Sequence, residues 1–208
     1  MTRGFIVTGT DTGVGKTIFA AGLSGYLGAR YWKPVQAGLE DETDSQIVQR
    51  LAGSRVQAVL PEVWRLTTPC SPHEAARIDR VMIDPAGLVP PSGQGPLVIE
   101  GAGGVMVPFS PDHLAVDLFA AWALPVILVA RTALGTINHS LLSLEALRAR
   151  GLEVTGVAFM GAENTASEAA IVRFGQCRHL GRLPWLDPLD AETLATAFAD
   201  NIRTEYLT

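Results

Sequence analysis

Gly9-Thr10-Asp11-Thr12-Gly13-Val14-Gly15-Lys16-Thr17 follows the apolar run Phe5-Ile6-Val7 and precedes Ile18-Phe19-Ala20-Ala21-Gly22-Leu23, so a glycine-rich loop joins a strand pattern to a helix pattern. That context marks a phosphate-binding loop. Backbone N–H groups and the positive end of the helix dipole surround phosphate oxygens, and residues with little side chain let the backbone come close. Lys16 is placed to reach the β- and γ-phosphates, and the Thr17 hydroxyl to reach Mg²⁺. The loop is a variant of G-x-x-x-x-G-K-[ST], because Thr10 stands where the first glycine belongs and the nearest glycine is Gly9.

Outward from the loop, apolar β-branched runs recur at Phe5–Thr8, Tyr31–Val35, Leu97–Ile99, Pro125–Ala130 and Val154–Phe159, separated by helical spacing or turn residues. The alternation predicts a single-domain α/β protein spanning residues 1–208, with a mostly parallel sheet flanked by helices. Helices are expected over Ile137–Arg150, ended by Gly151, over Asp44–Leu51 and over Ala191–Tyr206. Pro61–Pro72 and Ile83–Pro96 read as surface connections.

The 208 residues suffice for one core without disulfides or structural metal. Cys70 and Cys177 form no ligand cluster and read as thiols of a reducing compartment. With no signal segment and no apolar run of membrane length, a cytoplasmic protein without a membrane partner is expected. The net charge of −5 and the lack of a basic block argue against nucleic acid as a partner.

Ligands of open α/β sheets bind beyond the carboxyl ends of the strands. Those ends carry the loop, Lys33-Pro34-Val35-Gln36-Ala37-Gly38, Glu100-Gly101-Ala102-Gly103-Gly104, and Ala130 through Asn138. Glu100, at a strand end before glycines, reads as a Mg²⁺ contact or as a solvated strand-end acid. Asp44, opening a helix, reads as a metal contact or as a helix cap. Lys33, inside an apolar run, either has a buried partner or snorkels at an edge.

Gly9–Thr17, Lys33-Pro34-Val35, Thr43-Asp44, Ser71-Pro72-His73, Glu100–Gly104, Leu134-Gly135-x-Ile137-Asn138-His139 and Gly181-x-Leu183-Pro184-Trp185-Leu186 together resemble the dethiobiotin synthetase family in content, order and spacing. The resemblance covers nearly the whole chain and implies a P-loop NTPase-like fold. The implied reaction converts 7,8-diaminononanoate, CO₂ and MgATP to dethiobiotin, ADP and phosphate, through a carbamate and a carbamic–phosphoric anhydride. By this likeness Lys33 and Lys16 stabilise the carbamate and the transferring phosphoryl group, and Thr17, Asp44 and Glu100 hold Mg²⁺. Gly13, Val14, Gly15, Lys16, Thr17 and Ile18 would bind ATP together with Asp44, Glu100, Gly101, Ala102 and Gly103. Pro184, Trp185 and Leu186 would wall the base pocket, although Trp185 also reads as the end of a core strand. Thr12, Lys33 and Ala37 would meet the diamine end of the substrate. Leu134, Gly135, Thr136, Ile137 and Asn138 would bind its distant carboxylate from the partner subunit of a homodimer. His73 and His139 read as structural.

Two departures from the family pattern carry consequences. Ala37 replaces a Ser or Thr, which removes one hydroxyl contact, and Met160-Gly161 replaces an Asn-Asp pair that reads the adenine edge. Loose base selection is therefore expected unless Glu163 or Asn164 takes over the reading. Partition-type switch ATPases share the sheet and a variant loop, but carry a signature lysine where this chain has Asp11. Cobyrinate-type ligases add a glutamine-hydrolysing domain, for which 208 residues leave no room.

Overall fold

The computed structural model describes residues 4–207. Its first half supplies β1 (Gly4–Gly9), α1 (Lys16–Leu27), β2 (Arg30–Trp32), β3 (Val35–Ala37), α2 (Asp44–Ala52), β4 (Ala58–Leu60), β5 (Trp64–Leu66) and α3 (Pro72–Asp79). Then come β6 (Leu97–Gly104), β7 (Pro108–Ser110), β8 (His113–Leu114), α4 (Ala115–Trp122), β9 (Val126–Arg131), α5 (Thr136–Ala149), β10 (Val154–Met160), α6 (Thr165–Gly175), β11 (His179–Leu183) and α7 (Ala191–Asn201).

Seven strands form one sheet in the order β11-β10-β9-β1-β6-β2-β4, with every neighbouring pair parallel. Alternate residues of the central strands feed two cores. Ile6, Ile99 and Leu128 pack with Phe119 of α4, Leu144 of α5 and Ile171 of α6 on one face. Val7, Val98 and Ile127 pack with Phe19 of α1, Leu51 of α2 and Phe198 of α7 on the other. Helices on both faces explain why these strands read as continuous apolar runs rather than alternating ones. The register sets Val7 beside Glu100 and Gly9 beside Gly104, and Trp32 beside Ile99. The carboxyl ends of β1, β6 and β2 therefore finish side by side.

Three expectations are corrected. Tyr31–Val35 is not one strand: β2 stops at Trp32, and β3 pairs with β5 in a separate parallel sheet. Pro34 has no N–H for a ladder, and its carbonyl instead accepts from Val63 and Trp64 at 2.9 and 3.1 Å. Pro61–Pro72 contains β5 and opens α3. The last helix stops at Asn201, because Ile202 turns into the core, 4% exposed, and bridges Gly181. The pattern above also assigns nothing to α4, α6 or β11. Five of the eight residues of α4 are buried, so it carries little amphipathic signal.

Candidate active site

Gly15 ends the loop as the left-handed N-cap of α1, with no side chain capping the helix and no acidic residue in its first turn. The first N–H groups of α1 thus face the space in front of the loop, where an anion can accept from them. At Gly15 φ is +97°, so the backbone favours glycine, and a Cβ there would push on the Met160 side chain, whose methyl would lie 2.9 Å away. Lys16 curls back and donates to the Asp11 carbonyl at 2.8 Å. Burial, then the neighbouring Lys33, lowers its pKa to about 8.

Lys33 is 4% exposed, so it does not snorkel. Its three donors meet three acceptors: Asp44 Oδ2 at 2.6 Å, Glu100 Oε1 at 3.1 Å and the Gly101 carbonyl at 3.0 Å. The Thr17 hydroxyl stands 2.9 Å from both Asp44 Oδ1 and Glu100 Oε1. Burial alone would lower the Lys33 pKa, but Glu100 and Asp44 outweigh it and hold the pKa above the usual lysine value. For Asp44 burial acts upward, and Lys33 overrides it to pull the carboxyl below its usual range. Glu100 is enclosed, and burial pushes its carboxyl up despite Lys33.

Asp44 is free for this because it is not the cap. Thr43 caps α2, its Oγ1 accepting from Gln46 N at 3.4 Å while Gln46 Oε1 accepts from Thr43 N at 2.8 Å. Gln36 fastens the connection to β3, accepting from Asp44 N at 3.3 Å and donating to the Ala37 and Gly38 carbonyls. Three hard oxygen donors, from Thr17, Asp44 and Glu100, thus lie side by side, with the Lys33 ammonium against the same two carboxylates. That donor set fits Mg²⁺.

In front of these groups lies a cavity of about 610 Å³, lined also by Thr12, Ala37, Ala102 and Gly103. Across Gly13 and Gly15 lies a second cavity of about 500 Å³, walled by Val14, Ile18, Met160, Pro184, Trp185 and Leu186. Trp185 lines both and is 82% exposed, so it is no core strand end. Asn164 borders the second cavity, but its amide is engaged: Oδ1 accepts from Ser167 N at 3.2 Å and Nδ2 donates to the Thr132 carbonyl at 2.9 Å. Glu163 accepts from Thr165 Oγ1 at 2.9 Å and lies 3.8 Å from Arg182.

Leu134 and the N-cap Gly135 lead into α5, and Thr136, Ile137 and Asn138 open it, without lining either cavity of their own chain. Leu134 is 100% exposed, and Gly135 is an uncapped left-handed N-cap. His73 and His139 line neither cavity. Sequence reasoning missed Tyr31, whose hydroxyl donates to Glu100 Oε2 at 2.8 Å. Burial first, then Glu100, raises its pKa well above the ordinary tyrosine value. The signal was available, since in the apolar run Tyr31–Val35 a period of two puts Tyr31 and Lys33 on one side.

The fold and the loop define a P-loop nucleotide-binding protein. Its architecture matches the cell division ATPase MinD of Pyrococcus furiosus, with a TM-score of 0.59, 15% identity and 100% of both chains covered. It also matches a ParA family ATPase of Chlorobium tepidum, with a TM-score of 0.53, 10% identity and coverage of 96% of this chain and 91% of that one. These likenesses concern the fold alone. The AAA domain family model matches residues 3–193. The ATP-dependent dethiobiotin synthetase BioD of Bradyrhizobium diazoefficiens is 56% identical over 209 residues, covering 100% of this chain and 99% of the relative. The same-named protein of Rhodopseudomonas palustris strain TIE-1 is 60% identical over 199 residues, covering 96% and 94%. The chain belongs to the ATP-dependent dethiobiotin synthetase family and is an enzyme of the ligase class.

Proposed function

We propose that this enzyme carboxylates 7,8-diaminononanoate with CO₂ and closes the ureido ring of dethiobiotin at the expense of MgATP, as a cytoplasmic step of biotin biosynthesis. The observation that carries the reading is the buried Lys33 ammonium paired with Asp44 and Glu100, the two carboxylates that also meet Thr17, at the larger cavity that Lys16 lines too. The ATP phosphates lie along Gly13–Thr17, with the base beside Pro184, Trp185 and Leu186.

One substrate amine adds CO₂ to form a carbamate, an anion that must approach the γ-phosphate. Lys33 holds that anion and Lys16 the phosphoryl oxygens while a carbamate oxygen displaces ADP from the γ-phosphorus, and the neighbouring amine attacks the resulting anhydride at its carbonyl carbon and expels phosphate. No protein nucleophile is needed, so catalysis is positioning and electrostatics. Lys16 and Lys33 are offset by Asp44 and Glu100, two positive charges against two negative, so triphosphate and carbamate call for further positive charge. Mg²⁺ held by Thr17, Asp44 and Glu100 would supply it, neutralising the phosphates.

Leu134–Asn138 bind the distant carboxylate of the substrate in the cavity of a second copy, which makes the homodimer the working unit. The fully exposed Leu134 and the uncapped start of α5 support this assignment. The test is mass detection of dethiobiotin together with phosphate release. Product should require diamine, bicarbonate and MgATP together. ATP hydrolysis indifferent to the diamine would move the protein to a switch ATPase or a ligase with another substrate.

A further inference from the structure

Tyr31 is 0% exposed and packs in the core on the α1 face of the sheet. A phenylalanine would fill that space equally, but a hydroxyl buried so completely requires a partner. The partner is Glu100, and the two oxygens of that carboxylate are divided. Oε1 meets Thr17 at 2.9 Å and Lys33 at 3.1 Å, while Oε2 accepts from Tyr31 at 2.8 Å. The terminal torsion of a glutamate is broad and nearly two-fold, so packing alone does not decide which oxygen faces the cavity or at what tilt. The register places the bond securely: Tyr31 pairs with Val98 and Trp32 with Ile99, two neighbours on β6 leading into Glu100.

We propose that Tyr31 is a positioning residue that holds Glu100 by its inner oxygen, so that the outer oxygen alone is presented to the divalent cation. It thereby sets the affinity of the site for that cation. This rests on the reading of Glu100 as a cation ligand. Hydrogen-bond partners behind a metal ligand typically alter metal affinity ~10–100-fold when removed.

The experiment compares wild type with Tyr31→Phe, Glu100→Gln and Val98→Ala, each checked for folding by its thermal midpoint. Mn²⁺ binding is followed by electron paramagnetic resonance with a non-hydrolysable ATP analogue present, and Mg²⁺ half-saturation is followed in dethiobiotin formation. Tyr31→Phe should weaken Mn²⁺ binding and raise the Mg²⁺ half-saturation about tenfold, with kcat at saturating Mg²⁺ and KM for ATP nearly unchanged. Val98→Ala, a cavity in the same core, should lower the thermal midpoint without moving either metal readout. If Glu100→Gln weakens metal binding and Tyr31→Phe does not, the positioning assignment is overturned while Glu100 stays a ligand. If neither variant changes metal binding, the reading of Glu100 itself fails, and the inference with it.

Discussion

The two cavities on either side of the loop are built differently. The larger one is organised by side chains that arrive from α1, β2 and the residue after it, α2 and β6, and lock one another: Lys33 is buried with every donor used, and Glu100 is held from both sides. The smaller one is bordered by an exposed tryptophan, a methionine against the loop, and an asparagine already engaged by backbone groups. Charges that need partners are fixed by the whole sheet. Surfaces that need only apolar contact are left to loops.

The contrast can be broken most sharply at Lys33. Lys33→Ala removes a preorganised donor and leaves two carboxylates facing each other without their shared counter-charge. Dethiobiotin formation should fall by ~10²–10³-fold or more, while an ATP analogue still binds. Activity within tenfold of wild type would show that the ammonium is structural. Trp185→Ala probes the other cavity. Stacking a base on an aromatic ring contributes about 1–3 kcal/mol, so KM for ATP should rise about tenfold with kcat little changed.

Replacing the nucleotide sharpens the comparison further. Apolar packing discriminates by ~10–200-fold at most, so CTP and GTP should support turnover with kcat/KM within about two decades of ATP. Strict dependence on ATP would mean that a polar group reads the base after all. The smallest effect belongs to Ala37→Ser. The restored hydroxyl contributes roughly 0.5–1.5 kcal/mol, and substrate KM should move by about tenfold or less. A much larger change would reveal a contact beyond one hydrogen bond.

What was legible in the sequence divides along the same line. Gly13, Gly15, Lys16, Thr17, Lys33, Asp44 and Glu100, which line one cavity, could be singled out because a loop motif and charges at apolar strand ends stand apart from packing. The parallel sheet was legible for a related reason, since strands covered on both faces read as unbroken apolar runs. Tyr31 escaped because an aromatic residue in a strand looks like packing until its hydroxyl is traced to Glu100. The end of β2 escaped because Lys33-Pro34 could equally have kinked an edge strand. Thr43 escaped because Thr and Asp are both good caps, and only the bonds to Gln46 separate them.

The Lys33–Pro34 junction has a further consequence. One dipeptide serves as a joint between the large sheet and the small one formed by β3 and β5, and the Pro34 carbonyl pins that joint to Val63 and Trp64. Any drift of the small sheet is passed, within a single residue, to the aim of the ammonium. The Gly38–Thr43 connection ties the far end of β3 to α2, which carries Asp44, so the small sheet is strung between two partners of one ion pair. Residues with no reactive group, Val63 and Trp64 among them, set the tolerance to which the chemistry is machined.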